Sequence, residues 1–156
     1  MKKFLWGIIA FNSAMPMADP MDMEQVRINY SKAVYSKTIC RQMIDVLERG
    51  ADNNLSLAYL GGFQAIWANH VLNPVSKMET FYKGKANIEK AILKDSSDVE
   101  VRFIRLSIQE KSPWFLGYRQ HLQQDRDFLI RNRKEITSIV LAQMLEDILK
   151  EKKKDI

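Results

Sequence analysis

The chain has 156 residues, of which 46% are apolar and 28% charged, and it carries a net charge of +5. Its six glycines and four prolines are well below average usage, which argues against β-sandwiches, barrels and Pro/Gly-rich disorder. The basic excess is small and partly terminal, so a nucleic-acid partner is not expected; Lys2 and Lys3 start the chain, and Lys150, Lys152, Lys153 and Lys154 end it.

Lys2 and Lys3 precede a largely apolar run from Phe4 to Phe11, followed by small residues up to Ala18. A positive start, a short apolar run and small residues match a secretory signal peptide, here residues 1–18. Residues 19–156 then form a single helical domain, exported to the periplasm or beyond. The alternative is a cytoplasmic protein whose N-terminal strand or helix packs on the domain. The run is too short to span a bilayer, and no other segment is apolar enough.

Helical periodicity begins after Pro20. Val26, Tyr30, Ala33, Cys40, Ile44 and Leu47 mark one face of a long helix over 22–48, with Gly50 just past it. Cys40 is the only cysteine. It excludes an intramolecular disulfide and a Cys-based zinc cluster, and its stripe position predicts a buried thiol.

A second helix is expected over 55–72. Ala58, Gly61, Gly62, Ala65 and Ala68 fall on one side of its wheel, and Tyr59, Leu60, Phe63, Ile66 and Trp67 on the other. Each helical glycine costs about 1 kcal/mol relative to Ala. That cost predicts close approach of another helix, so this helix should be central. Asn73-Pro74 stops it.

A third helix, from Val75 or Lys77 to Lys94, carries Phe81, Gly84, Ile88, Ala91 and Ile92 on one stripe. Helices two and three should pair as an antiparallel hairpin, small face to small face. A fourth helix over 99–110 bears two apolar patches, with Arg102, Arg105 and Gln109 between them. A loop at 111–117, a fifth helix over 118–131 and a sixth over 134–153 complete the chain. The expected fold is all-α, with five to six helices packed as hairpins, either tetratricopeptide-like or an irregular bundle.

The search for chemistry finds no nucleophile elbow, no paired-histidine zinc motif and no phosphate-binding glycine loop. No catalytic residue, metal ligand or cofactor is predicted. His70 and His121 are the only histidines and lack metal-ligand spacing. His70 reads as a core-edge histidine bonded to the following loop, or as part of a ligand site. Arg102 and Arg105 need acceptors, with Asp125, Asp127 or the 111–117 carbonyls as candidates; unpaired, they would suit an anionic ligand. Trp114, Phe115 and Tyr118 either cover a core end or form a partner-binding patch.

The small-faced hairpins resemble tetratricopeptide-like repeats, at most two units between about 55 and 131. Asp95-Ser96 stands where such repeats often place Asp-Pro. Residues 57–130 also resemble a group of uncharacterised exported proteins from Bacteroidota-type bacteria. The residues that carry this are Ala65-x-x-Ala68-x-His70-x-x-Asn73-Pro74, Lys83-Gly84-Lys85, Glu89-Lys90-Ala91-Ile92, Glu100-x-Arg102-Phe103-x-Arg105-x-Ser107-Ile108-Gln109 and Pro113-x-Phe115-Leu116-Gly117-Tyr118. The resemblance implies a secreted or periplasmic helical domain and implies no activity.

Two functions are therefore expected. One is a non-catalytic exported domain that binds or scaffolds another protein. The other is a small-ligand binder or enzyme using a polar seam of His70, Arg102, Arg105 and Gln109, with an anionic ligand. Trp114 and Tyr118 complete the candidate binding residues.

Overall fold

The computed structural model describes residues 21–50 and 53–151. Seven α-helices and three short 3-10 turns occur among them, and no strand. The all-α expectation holds, with more helices than foreseen. The segment read as a signal peptide lies outside the described residues, as do Lys152, Lys153 and Lys154.

Helix α1 spans Met23–Ala33. The Asp22 side chain caps it by accepting from the amides of Glu24 and Gln25. Helix α2 spans Lys37–Gly50. The single helix expected over 22–48 is thus two helices. At the break, the Lys32 carbonyl accepts the amides of both Tyr35 and Ser36. Ser36 Oγ then accepts the Ile39 amide at 3.3 Å and caps α2. A serine bonded to its own backbone competes with helix continuation. The apolar stripe survives, because Val26, Tyr30, Ala33, Cys40, Ile44 and Leu47 are all buried. Periodicity identifies a buried face; it does not report a corner within it.

Helix α3 spans Asn54–Trp67 and is capped by Asn53, which accepts the Ser56 amide. A 3-10 turn, Ala68–His70, extends it. It is buried on nearly every side, with α1, α2, α4 and α5 packed around it, as a central helix should be. Helix α4 spans Pro74–Lys94, with Asn73 as its cap and Pro74 in its first turn.

Helices α3 and α4 meet backbone to backbone. A Cβ added to Gly61 would lie 2.6 Å from the Gly84 carbonyl oxygen and 2.9 Å from the Ile88 amide nitrogen. One added to Gly84 would lie 2.6 Å from the Ala65 amide nitrogen. Gly62 does different work from that expected. It faces α1, where a Cβ would lie 2.7 Å from the Tyr30 ring. Tyr30 uses this space to pack edge-on against Tyr59 and Phe63, each at 5.3 Å between ring centroids. Such pairs are worth about 0.5–1.5 kcal/mol beyond their burial.

Helix α5 spans Val99–Lys111 and is capped by Asp98. Both of its apolar patches are buried, including Val101, Phe103, Ile104, Leu106 and Ile108. A 3-10 turn, Trp114–Leu116, follows. It ends at Gly117, which has a φ of 59° and so takes the left-handed conformation that glycine adopts most easily. Helix α6 spans Leu122–Asn132, starting later than expected because the loop runs on to His121. After a 3-10 turn at Arg133–Glu135, helix α7 spans Ile139–Glu151. Its start is delayed to the residue after Ser138, whose Oγ accepts the Leu141 amide. Helix α7 packs on α1 and α5, and one continuous apolar core runs through the fold.

Candidate functional site

The arginine seam of α5 faces α6 and is built around one carboxylate. Asp125 lies in the first turn of α6 and is fully buried. Arg105 donates to it twice, Nε to Oδ2 at 2.6 Å and Nη2 to Oδ1 at 2.7 Å. Arg102 Nη1 donates to Oδ1 at 2.8 Å. Gln109 Nε2 donates to Oδ2 at 3.5 Å. Spacings of three and four residues place these side chains on one face of α5. The buried, planar guanidinium of Arg105 matches the carboxylate in two-pronged geometry.

Other polar atoms of the seam also have partners. Arg105 Nη1 donates to Glu89 Oε2 on α4 at 3.2 Å. Glu89 Oε1 accepts from Tyr118 Oη at 2.6 Å. Arg102 Nε donates to the Ser96 carbonyl at 2.7 Å, and its guanidinium lies 4.5 Å over the Phe128 ring. Gln109 Oε1 accepts the His121 amide at 3.0 Å. Burial alone would lower the Arg105 pKa, but the hydrogen bond and charge of Asp125 more than offset it and hold it raised. Burial, then the Glu89 hydrogen bond, pushes the Tyr118 hydroxyl well above its ordinary value.

Of the expected acceptors, Asp125 serves and Asp127 does not. Asp127 accepts from Gln123 at the surface of its own helix. Glu89 was not foreseen as a partner.

His70 is bonded elsewhere. Its Nε2 lies 2.7 Å from the Ala33 carbonyl and donates to it, and its ring packs tilted against Trp67 at 5.9 Å between centroids. The partner is the end of α1 rather than the following loop, so His70 links the α3 extension to α1. The structure therefore brings together Arg102, Arg105, Gln109 and Tyr118, but not His70. The aromatic cluster also divides. Tyr118 is buried against Phe81 and lies in the seam, whereas Trp114 and Phe115 are exposed.

A second polar network was missed entirely. Arg27 of α1 donates two hydrogen bonds to Glu100 of α5, Nε at 2.7 Å and Nη2 at 2.8 Å. Tyr59 Oη donates to the same carboxylate at 2.6 Å. Arg27 also reaches Glu24, which accepts from Ser138 Oγ at 2.7 Å. The hydrogen bond to Glu100 holds the Arg27 pKa raised, and burial followed by the Glu100 charge raises that of Tyr59. Arg27 and Glu100 are 73 positions apart, and no local spacing pairs them.

A cleft of about 280 Å³ opens where α1, α5 and α7 begin. Its lining includes Arg27, Asp98, Glu100, Glu135 and Ser138, and none of the six candidate binding residues. Among the described residues, no group of three or more His, Cys, Asp or Glu side chains is placed to hold a metal ion. No described helix is long and apolar enough to cross a membrane. Comparison with known proteins finds no matching family model, no matching curated relative and no matching solved structure.

Proposed function

We propose that the chain is an exported, non-catalytic helical domain that works by binding or scaffolding, and that its arginine seam is structural. The observation that carries this reading is the closure of the seam on Asp125. Arg102 and Arg105 already have the acceptors that an anionic ligand would supply. Displacing Asp125 would leave a buried carboxylate without partners, which costs far more than a surface exchange. The helix pairs α3–α4 and α5–α6, joined through α3–α5 and α4–α5 contacts, are consistent with a tetratricopeptide-like arrangement. The Lys2-Lys3 start and the apolar run from Phe4 to Phe11 support export.

The test is Arg102→Ala. Removing a charged hydrogen-bond donor from the seam should cost about 1.5–3 kcal/mol and lower the thermal midpoint by several degrees. An unchanged midpoint would favour the ligand-binding alternative instead. N-terminal sequencing of the protein from its native host tests export, and a chain still starting at Met1 would count against it.

A further inference from the structure

Trp114 is 81% exposed and Phe115 66% exposed, although the loop that carries them is firmly built. The Leu116 amide donates to the Pro113 carbonyl, and the Gly117 amide to the Trp114 carbonyl. Ser112 Oγ anchors one end on the Ile108 carbonyl, and Tyr118 anchors the other on Glu89. The two exposed rings pack edge to face at 6.2 Å. This turn holds two large aromatic side chains in water and gains nothing from the core for doing so.

The start of α4 is linked to this turn through Lys85, which lies over both the Tyr118 and the Tyr82 rings. Val75, Met78 and Tyr82 are exposed and fall on one flank of the helix, at spacings of three and four. Lys85 and Glu89 share that flank, and both touch Tyr118. The Lys85 ammonium lies 4.9 Å over the Tyr118 ring and 5.9 Å over the Tyr82 ring. Arg119 is exposed directly after the turn. Glu89 is engaged with Arg105 and Tyr118 and Glu110 with Arg126, while Glu79 is exposed beside Met78 on α4. Around the aromatic turn itself, Lys85 and Arg119 stand on either side of Tyr118.

We propose that this face docks on an anionic lipid surface, with Trp114 and Phe115 entering the interface and Lys85 and Arg119 meeting lipid phosphates. The proposal rests on the reading of the chain as a binding domain and names its partner. Aromatic rings favour the membrane–water boundary, where one side is apolar and the other wet. Stable peripheral attachment needs two signals, and here an apolar wedge and basic residues lie side by side. A protein ligand would be better served by a groove. The exposed rings project from a turn instead, and the cleft between the starts of α1, α5 and α7 does not include them.

The full chain should be co-sedimented with vesicles of phosphatidylglycerol and phosphatidylcholine, and with phosphatidylcholine alone. Binding to the anionic vesicles, weakening as salt rises, is expected. A Trp114→Ala/Phe115→Ala variant that keeps the parent's circular dichroism and thermal midpoint should lose at least about tenfold in partitioning. Lys85→Gln and Arg119→Gln should each cost roughly fivefold. No binding to anionic vesicles overturns the proposal, as does equal binding by the aromatic variant. A concentration-dependent dimer that the aromatic variant abolishes, without vesicle binding, also overturns it and makes the face a homodimer interface. Failure here leaves the binding-domain reading intact, because that reading depends on Arg102→Ala.

Discussion

Arg105 and Asp125 meet through two parallel hydrogen bonds, and both side chains are almost wholly out of water. The pair ties α5 to α6, and Arg102, Gln109 and Glu89 gather around it. A buried carboxylate with three donors is costly to disturb, since removing it strands two guanidinium charges.

Asp125→Asn should therefore destabilise the fold by about 3–5 kcal/mol. Urea titration followed by circular dichroism measures this directly. Asp127→Asn, on the surface of the same helix, should stay within about 0.5 kcal/mol of the parent. Equal effects of the two substitutions would mean that the seam does not hold the helices together.

Gly61→Ala makes a second case, in which helix propensity and packing oppose each other. Alanine is favoured by about 1 kcal/mol in a helix. The added methyl, however, would lie 2.6 Å from the Gly84 carbonyl, on a backbone that cannot step aside alone. The expected net result is a loss of about 1–3 kcal/mol. A stabilised Gly61→Ala protein would rule out the close contact of α3 and α4.

Alkaline pH should weaken the fold through Cys40. Burial pushes this thiol from an ordinary 9.0 up to about 12, and its Sγ donates to the Phe63 carbonyl at 3.3 Å. Between those values the unfolded chain releases a proton that the folded chain keeps. Stability is thus fully present below pH 9 and falls as pH rises. Tyr30, Tyr59 and Tyr118 are shifted upward too, by burial first, and add to the same trend. Urea midpoints at about pH 8 and about pH 10.5 should show a clear drop. At the lower pH a thiol reagent should label Cys40 only on unfolding, and rapid labelling of the native protein would contradict its burial.

Much of this architecture was legible because the information is local. Asn53 and Asp98 stand directly before the helices that they cap, and Asn73-Pro74, read as a stop, marks the same boundary from the other side. Gly61 and Gly84 interrupt apolar stripes where only a neighbouring backbone fits. Asp125 could be named as an acceptor because Arg102 and Arg105 lie on one arc of α5 and demand one. Other features depend on distant chain and leave no local trace. The Glu100 carboxylate has no partner in its own stretch of sequence, and Arg27 and Tyr59, which bond it, come from α1 and α3. The corner at Val34–Ser36 was hidden because Ala33 and Cys40 keep the stripe in step across it. Trp114 and Tyr118 are four residues apart yet face opposite environments, because Gly117 reverses the chain between them.

Helix α7 has a consequence of its own. Ser138 at its cap reaches Glu24 on α1, 114 positions earlier, and the helix lies against both α1 and α5. A stack of helical hairpins is ordinarily open-ended, and duplication of a unit simply lengthens it. Here α7 is clasped back onto α1, so among the described residues stripping α7 away would uncover apolar surface on α1 and α5 together.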